Sequence, residues 1–248
     1  MDRDDGFELK RVGPWSYFHL PSLEASGIIH GFMTRSSDAI LSDLEKEEAF
    51  NRAMGAVAMV SLRQEHGDSI ETAKVGGRIR AGDGLIVQES GVLGIVKTAD
   101  CVPVILYGPD HGIAAILHAG WRGSAAKITQ KGVRAMEAMG VRPDRLGVLI
   151  GPGIGPCCYA VGKDVVSSFE SAGFAEDIFE QRGASTFLDL KKANRRLAEA
   201  EGVREVHDIG LCTACRPDLF LSARRDRLKG RQINFVLLMR AEVGVYSS

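Results

Sequence analysis

No apolar run in this chain approaches the roughly 18 residues that a membrane-spanning helix needs, so no membrane partner is expected. There is no excess of charge either. Lys and Arg number 31 against 32 Asp and Glu, for a formal net charge of -1. Proteins that work on nucleic acid usually present a broad positive face, and this balance argues against that partner. The opening stretch MDRDDGFELKRVGPW is too charged for a secretory signal. Cysteine is scarce and odd in number: Cys101, Cys157, Cys158, Cys212 and Cys215. Five thiols in a long chain do not make a disulfide framework, and a cytoplasmic location is expected. Linkers, repeats and low-complexity segments are missing too. A chain of 248 residues nevertheless buries a core without staples.

What is there is a mixture of short β-rich runs, Gly/Pro turns and a few amphipathic stretches. GIIHGF, GVLGIVK, VPVILYG, GIAAILH, RLGVLIG, VREVHDI and QINFVLL read as strands. VPVILYG and GIAAILH are separated by PDH, a tight turn that makes them an antiparallel hairpin. Helices are predicted over 42–54, 124–139, 162–171 and 189–201. Ser124 is placed as a cap of the second, with Ile128, Ala135 and Met139 on its inner stripe. Asp189 caps the last, with Leu190, Ala193, Leu197 and Ala200 facing inward. Helices interleaved with antiparallel strands indicate an α+β single domain with mixed sheets.

Histidine is also scarce, at six residues. His66 lies in the polar turn SLRQEHGDS, His118 ends an apolar run before AGWRG, and Cys101 follows Asp100 between two β-like runs. Each sits where a strand meets a turn, where a fixed backbone aims a side chain into a cleft. Two imidazoles and a thiolate suit zinc, and leave a fourth position open; ligand softness admits copper as well. The separations of 35 and 17 residues match no short zinc pattern. On pattern alone His118 is equally a hydrogen-bonded core histidine, Cys101 a small buried hydrophobe and His66 a turn residue. His111 belongs to the PDH turn, and His19, His30 and His207 read as structural or solvated.

The other cysteines offer competing signals. Cys212-x-x-Cys215 has redox spacing and is half of a structural zinc site, but no second CxxC completes it. Cys157 and Cys158 are adjacent, and adjacent cysteines rarely serve one metal. The glycines of IGPGIGPCCYAVG resemble a dinucleotide loop, yet Pro152 and Pro156 remove N–H groups that a pyrophosphate needs. A tight-turned pocket wall is the better expectation. HAGWRGSAAK offers exposed N–H groups and Arg122 to an anion, with Trp121 either packed as core or stacked on an aromatic ring. Arg63 lies three residues before His66. Arg224, Arg225, Arg227, Lys229 and Arg231 form either a solvated face or a rim that attracts phosphate.

These pieces together resemble the YfiH-like or laccase-domain proteins. HGFMTR, RQEHG, GDGLIV, TADCVPVILY, ILHAGWRGS, IGPGIGPCCYAVG, CTAC, FLSARRD and GRQINFV carry the resemblance from residue 30 to the C-terminus. Residues 30–248 would be the family domain, with 1–29 a segment at its edge. The resemblance implies an α+β domain of mixed sheets flanked by helices, similar to bacterial cytotoxic deamidases. It implies a metal triad of His66, Cys101 and His118. It also implies several activities: phosphorolysis of adenosine, inosine, guanosine and methylthioadenosine, deamination of adenosine, and copper-dependent phenol oxidation. A bacterial branch acts instead on peptidoglycan precursors. The chain departs from the pattern at SSDAIL, where many members are Gly-rich, and at Ala223, where an aromatic often precedes the paired arginines.

From these expectations follow concrete roles. In deamination a metal-activated water attacks the adenine ring, with Asp83 or Asp100 as proton donor or as loop-ordering groups. In phosphorolysis Arg63, Arg122, Arg224, Arg225 and Arg231 hold phosphate. Multicopper oxidation demands roughly ten ligands, more than six histidines supply. Cys101 as a thiolate nucleophile with His66 or His118 as base defines a rival hydrolase. A non-enzymatic interaction protein is the remaining alternative, and the sequence leaves the oligomeric state open.

Overall fold

In this computed structural model the placement of residues 6–37, 40, 43–75, 80–227 and 230–239 is described. The first half supplies strands β1 (Glu8–Val12), β2 (Trp15–His19), β3 (Ile28–Met33), β4 (Ala58–Ser61), β5 (Ile70–Thr72), β6 (Gly84–Val87), β7 (Val92–Thr98), β8 (Val102–Gly108) and β9 (Ile113–Ala119). The second half supplies β10 (Gly147–Ile150), β11 (Ala160–Val161), β12 (Phe179–Arg182), β13 (Ser185–Leu188), β14 (Glu205–Asp208) and β15 (Gln232–Leu238). The α-helices are α1 (Pro21–Ala25), α2 (Leu44–Met54), α3 (Trp121–Ala125), α4 (Ile128–Ala138), α5 (Lys163–Ser171), α6 (Leu190–Ala200) and α7 (Ala223–Asp226).

Two six-stranded sheets organise the molecule. One has the order β1-β2-β3-β15-β7-β4, the other β14-β10-β8-β9-β6-β5, and β11-β13-β12 form a small third sheet. Most neighbours are antiparallel, but β4–β7, β5–β6 and β10–β14 are parallel. Val92 and Val96 of the first sheet and Ile105, Ile116 and Leu149 of the second share one core cluster between the sheets. On the outer face of the second sheet, Val104, Leu106, Ala115 and Leu117 meet Val133 and Met136 of α4 and Ala193 of α6. On the outer face of the first, Leu93, Ile95 and Phe235 meet Phe50 and Met54 of α2. The order is therefore helix, sheet, sheet, helices. β8 and β9 are buried at every position, which is why their sequences are unbroken apolar runs rather than alternating ones. This is the α+β architecture with mixed sheets that the sequence indicates.

Local chemistry sets the element ends. Asp43 caps α2 by accepting the Glu45 and Lys46 N–H groups, and Gly55 ends it in the left-handed region at φ 71°. Asp189 caps α6 through the Lys192 N–H. The stripe of α6 is corrected at its end: Ala198 is buried and Ala200 is exposed. The single helix expected over 124–139 is two. Ala126 ends α3 and Lys127, at φ 65°, opens α4. Ser124 caps nothing; it is buried within α3, where the Asn194 side-chain amide donates to its hydroxyl at 2.8 Å. Asn194 in turn accepts from the Thr129 hydroxyl at 2.7 Å, so the bend is bound to α6 by a satisfied buried polar chain. Met139 lies just beyond α4 and is exposed, not on its inner stripe. Part of the SSDAIL segment falls outside the described residues. Among the described residues no helix is long and apolar enough to cross a membrane.

Candidate metal and substrate site

The β8–β9 hairpin pairs Val102 with Ala119 and Gly108 with Ile113. Its closed end is the PDHG turn; its open end places Cys101, just before β8, next to Gly120, just after β9. Nineteen positions of sequence thus shrink to a contact. His118 joins from the last turn of β9. β6 brings the third member, because Gly84 pairs with Leu117 and the Asp83 carbonyl accepts the His118 N–H at 2.7 Å. The Asp83 side chain then gathers the loop carrying His66. It accepts the backbone N–H groups of Glu65 at 3.2 Å, His66 at 3.0 Å and Gly67 at 2.7 Å.

The result is a cluster in which one ligand atom from each of His66, Cys101 and His118 lies within 4.8 Å of the others. The two imidazoles meet edge to face, with ring centroids 4.8 Å apart. Nδ1 of His118 stands 2.7 Å from Asp83 Oδ1, so Nδ1–H donates to the carboxylate and Nε2 is left for a ligand. Asp83 is 1% exposed and His118 3%. Burial by itself raises the Asp83 carboxyl, but the His118 hydrogen bond and the loop N–H groups bring it below the ordinary value. Burial lowers the His118 imidazole, and its hydrogen bonds to Asp83 and Cys101 more than reverse this, to about 9. The Cys101 thiol, raised by burial, is pulled down to about 6 by hydrogen bonding and charge from His118 and His66.

The donor set fits a metal ion. The ring nitrogens and sulfur are borderline-soft ligands, and the carboxylate behind His118 is the usual device for orienting a metal-binding imidazole. The backbone also clears the space. A Cβ on Gly120 would sit 2.9 Å from Cys101 Sγ and 3.5 Å from His66 Cδ2, so only glycine leaves the cradle open. Two backbone outliers flank the cluster: His66 at φ 61° and Asp100 at φ 86°. Each strained turn is held by a carboxylate. Asp83 grips the first, and Asp100 accepts the Thr213 hydroxyl and the Arg224 N–H, both at 2.7 Å. The two aspartates thus spend their oxygens on positioning.

The cluster opens into a cavity of about 660 Å³, within the usual range for small-molecule sites. Arg63, Arg122, Arg224, Arg231 and Lys97 bring positive charge to its walls, alongside Trp121, Asp100, Ala223, Ile154, Gln64 and Tyr159. Trp121 packs partly on the core, as one of its two readings expects, and Arg122 lies over its ring at 4.4 Å. Arg224 reaches the Ala160 carbonyl and lies over Tyr159. Arg225 does not line the cavity. Its guanidinium is engaged by the carbonyls of Thr213, Ala214 and Phe220 and by Asp226, which makes it a fastener of the wall. Lys229 lies outside the described residues.

Sequence reasoning passed over Tyr159, Lys97 and Gln64. Burial raises the Tyr159 hydroxyl to about 12, so it keeps its proton in the cavity. Gln64 exchanges two 2.8 Å hydrogen bonds with the backbone of Lys97, tying the His66 loop to β7. The aromatic neighbour of the CC pair was a signal for Tyr159; nothing local marked the other two. The adjacent cysteines, a kind of pair that rarely serves one metal, nevertheless lie together with the CxxC pair. Cys157, Cys158, Cys212 and Cys215 form a second cluster, each offering a sulfur within 4.8 Å of the rest.

Known proteins resemble this chain along most of its length. Residues 34–239 match the family described as "Multi-copper polyphenol oxidoreductase laccase". A purine nucleoside phosphorylase of Deinococcus radiodurans is 37% identical over 84% of this chain and 88% of its own length. Adenosine deaminase RL5, from an unknown prokaryotic organism, is 36% identical over 58% of this chain and 56% of its own. The crystal structure of Bacillus licheniformis hypothetical protein YfiH superposes with a TM-score of 0.84 at 26% identity, covering 93% of this chain and 98% of that one.

Proposed function

Because this chain belongs to the family described as multi-copper polyphenol oxidoreductase laccase, we propose that it is a zinc-dependent purine nucleoside enzyme. In this reading it cleaves nucleosides such as adenosine, inosine, guanosine and methylthioadenosine with phosphate, and deaminates adenosine. The observation that carries the proposal is the union of the His66–Cys101–His118 cluster and a cation-lined cavity in one site. The names of the two relatives, a purine nucleoside phosphorylase and an adenosine deaminase, support the substrate class.

When bound, zinc supplies Lewis acidity and an open coordination position. The rest falls to the side chains. Arg63, Arg122, Arg224 and Arg231 hold the phosphate, since guanidinium matches its oxygens in pairs. Trp121 offers a flat face for the purine. In phosphorolysis a phosphate oxygen bonds to the ribose C1′ as the C1′–N9 bond breaks; that electron pair passes to the purine, which takes up a proton. The protonated Tyr159 hydroxyl is the donor in the cavity for a purine nitrogen. Asp83 keeps His118 in the tautomer that faces the site, and Asp100 keeps Cys101 in place.

The copper reading of the family description meets a shortage of ligands. Of the six histidines only His66 and His118 line the cavity. A second reading rests on one observation: a thiol near 6 beside an imidazole backed by a carboxylate is also a nucleophile–base–orienter array. That would make Cys101 the nucleophile of an amide or peptidoglycan-precursor hydrolase. The deciding assay gives metal-defined protein adenosine and phosphate and separates the products. Adenine reports phosphorolysis, inosine deamination, and hypoxanthine both. No turnover with zinc present, together with metal-free, iodoacetamide-sensitive cleavage of wall fragments, overturns the proposal in favour of the hydrolase.

A further inference from the structure

The second sulfur cluster is built from two turns that cross behind the cavity wall. The chain leaves β10 and passes Gly153 and Gly155 before presenting Cys157 and Cys158. The other turn follows β14 and presents Cys212 and Cys215. The backbone joins them before any ligand is considered. Gly153 and Cys212 form a bridge, the Thr213 N–H donates to the Gly153 carbonyl at 3.1 Å, and the Gly155 N–H points at Cys212 Sγ at 3.2 Å.

The sulfurs of Cys157 and Cys158 lie 3.5 Å and 3.4 Å from that of Cys215. A disulfide needs a separation of about 2.05 Å, well short of either contact. A tetrahedral zinc with bonds of about 2.3 Å places its sulfurs about 3.8 Å apart. The observed spacing, with all four sulfurs within 4.8 Å, is close to the second figure and far from the first. All four cysteines are free thiols in the structure. Four thiolates with no imidazole, carboxylate or open position describe a closed, structural type of site.

We propose that Cys157, Cys158, Cys212 and Cys215 bind a structural zinc ion that staples the wall of the cavity. Binding exchanges four S–H protons for four S–Zn bonds; the protons go to solvent and nothing is oxidised or reduced. The staple acts on the site through short paths. Ile154 and Tyr159, from the first turn, line the cavity. Thr213, between the two ligands of the second turn, donates its hydroxyl to Asp100, the neighbour of Cys101. Arg225 secures the same turn through the Thr213 and Ala214 carbonyls.

The test counts metal and thiols, independently of any nucleoside turnover. Elemental analysis of the full chain purified under reducing conditions with zinc is expected to give about two equivalents per chain. His118→Ala and the double variant Cys158→Ser/Cys215→Ser are each expected to give about one. Cobalt-substituted His118→Ala protein should show the strong thiolate-to-cobalt charge-transfer absorption of a tetrathiolate site. The unmodified chain supplies a check that needs no variant. Cys157 and Cys215 are exposed, so iodoacetamide should label them in zinc-stripped protein and at least tenfold more slowly once zinc is restored. Equal labelling with and without zinc, a disulfide to Cys215 under these conditions, or about two equivalents retained by the folded double variant would overturn the proposal.

Discussion

Two donor clusters lie on either side of one loop wall, and they are assembled in opposite ways. His66, Cys101 and His118 come from strand ends scattered through the chain, and each is aimed by buried hydrogen bonds to Asp83 or by strand pairing. Cys157 with Cys158, and Cys212 with Cys215, arrive as two local pairs on turns whose backbones are bridged directly. The first cluster has three donors of two chemical kinds and opens into a cavity; the second has four of one kind and does not line it. A mixed, incomplete donor set beside an open space suits chemistry, whereas a uniform set on crossing turns suits holding.

The sharpest way to break this contrast is His118→Ala. Loss of a ligand should cut nucleoside turnover by more than the roughly 100-fold cost of removing a residue that merely orients one. The sulfur cluster should keep its metal. Turnover near the parent level in metal-free H118A protein would erase the functional half of the comparison.

Acid stability separates the clusters from the rest of the core. His30 is buried away from both, accepting the Leu20 N–H at Nε2 and donating from Nδ1 to the Ile28 carbonyl. Burial depresses it from 6.5 to about 4. The unfolded chain therefore binds this proton first, so its contribution is whole above about pH 6.5 and declines towards pH 4, by roughly 3 kcal/mol. His118 has the opposite sign in metal-free protein, contributing below pH 6.5 and losing that contribution as pH rises through about 9. Denaturant midpoints of His30→Gln against the parent across pH 4–7 check this; parallel curves refute it.

Asp83→Asn sharpens the comparison next. It keeps the shape but weakens the hold on His118 and the His66 loop, and should lower metal affinity at that cluster about 10–100-fold. Metal titration monitored at both sites is the measurement, with the four-sulfur cluster as internal reference. Gly120→Ala should have the smallest effect. Its new methyl meets Cys101 Sγ, at a cost of about 1–3 kcal/mol in thermal denaturation, with metal reduced at the three-donor cluster alone.

The two clusters also differ in how far a sequence reveals them. β7, β8, β9, β10 and β15 are buried nearly throughout, and their largely apolar runs marked them at once. β1 and β12, at sheet edges, and β13, half exposed in the small third sheet, lack such runs and went unmarked. Within the site, the resemblance to a family named all three donors, but pattern alone left each with an ordinary structural alternative. Their convergence depends on hairpin register, which no local spacing encodes. The cysteine pairs show the converse failure. Both were conspicuous, yet taken separately the CxxC pair is half a site and the adjacent pair reads as part of a pocket wall. What unites them is the bridge between Gly153 and Cys212, a tertiary fact. Asp83 and Asp100 were recognised as chemically placed, and their role as anchors became legible only with their partners' N–H groups in view.

Residues 66 and 100 are further constrained by the handedness of their backbone. A left-handed conformation costs an ordinary side chain roughly 1–2 kcal/mol and is worse for β-branched ones. A replacement at 66 that coordinated as well as imidazole would still have to tolerate that curl. Valine, isoleucine or threonine at either position would pull the chain towards the opposite hand and carry the neighbouring donor away with it. Evolution and engineers alike therefore have a narrower alphabet at these two sites than the chemistry alone would permit.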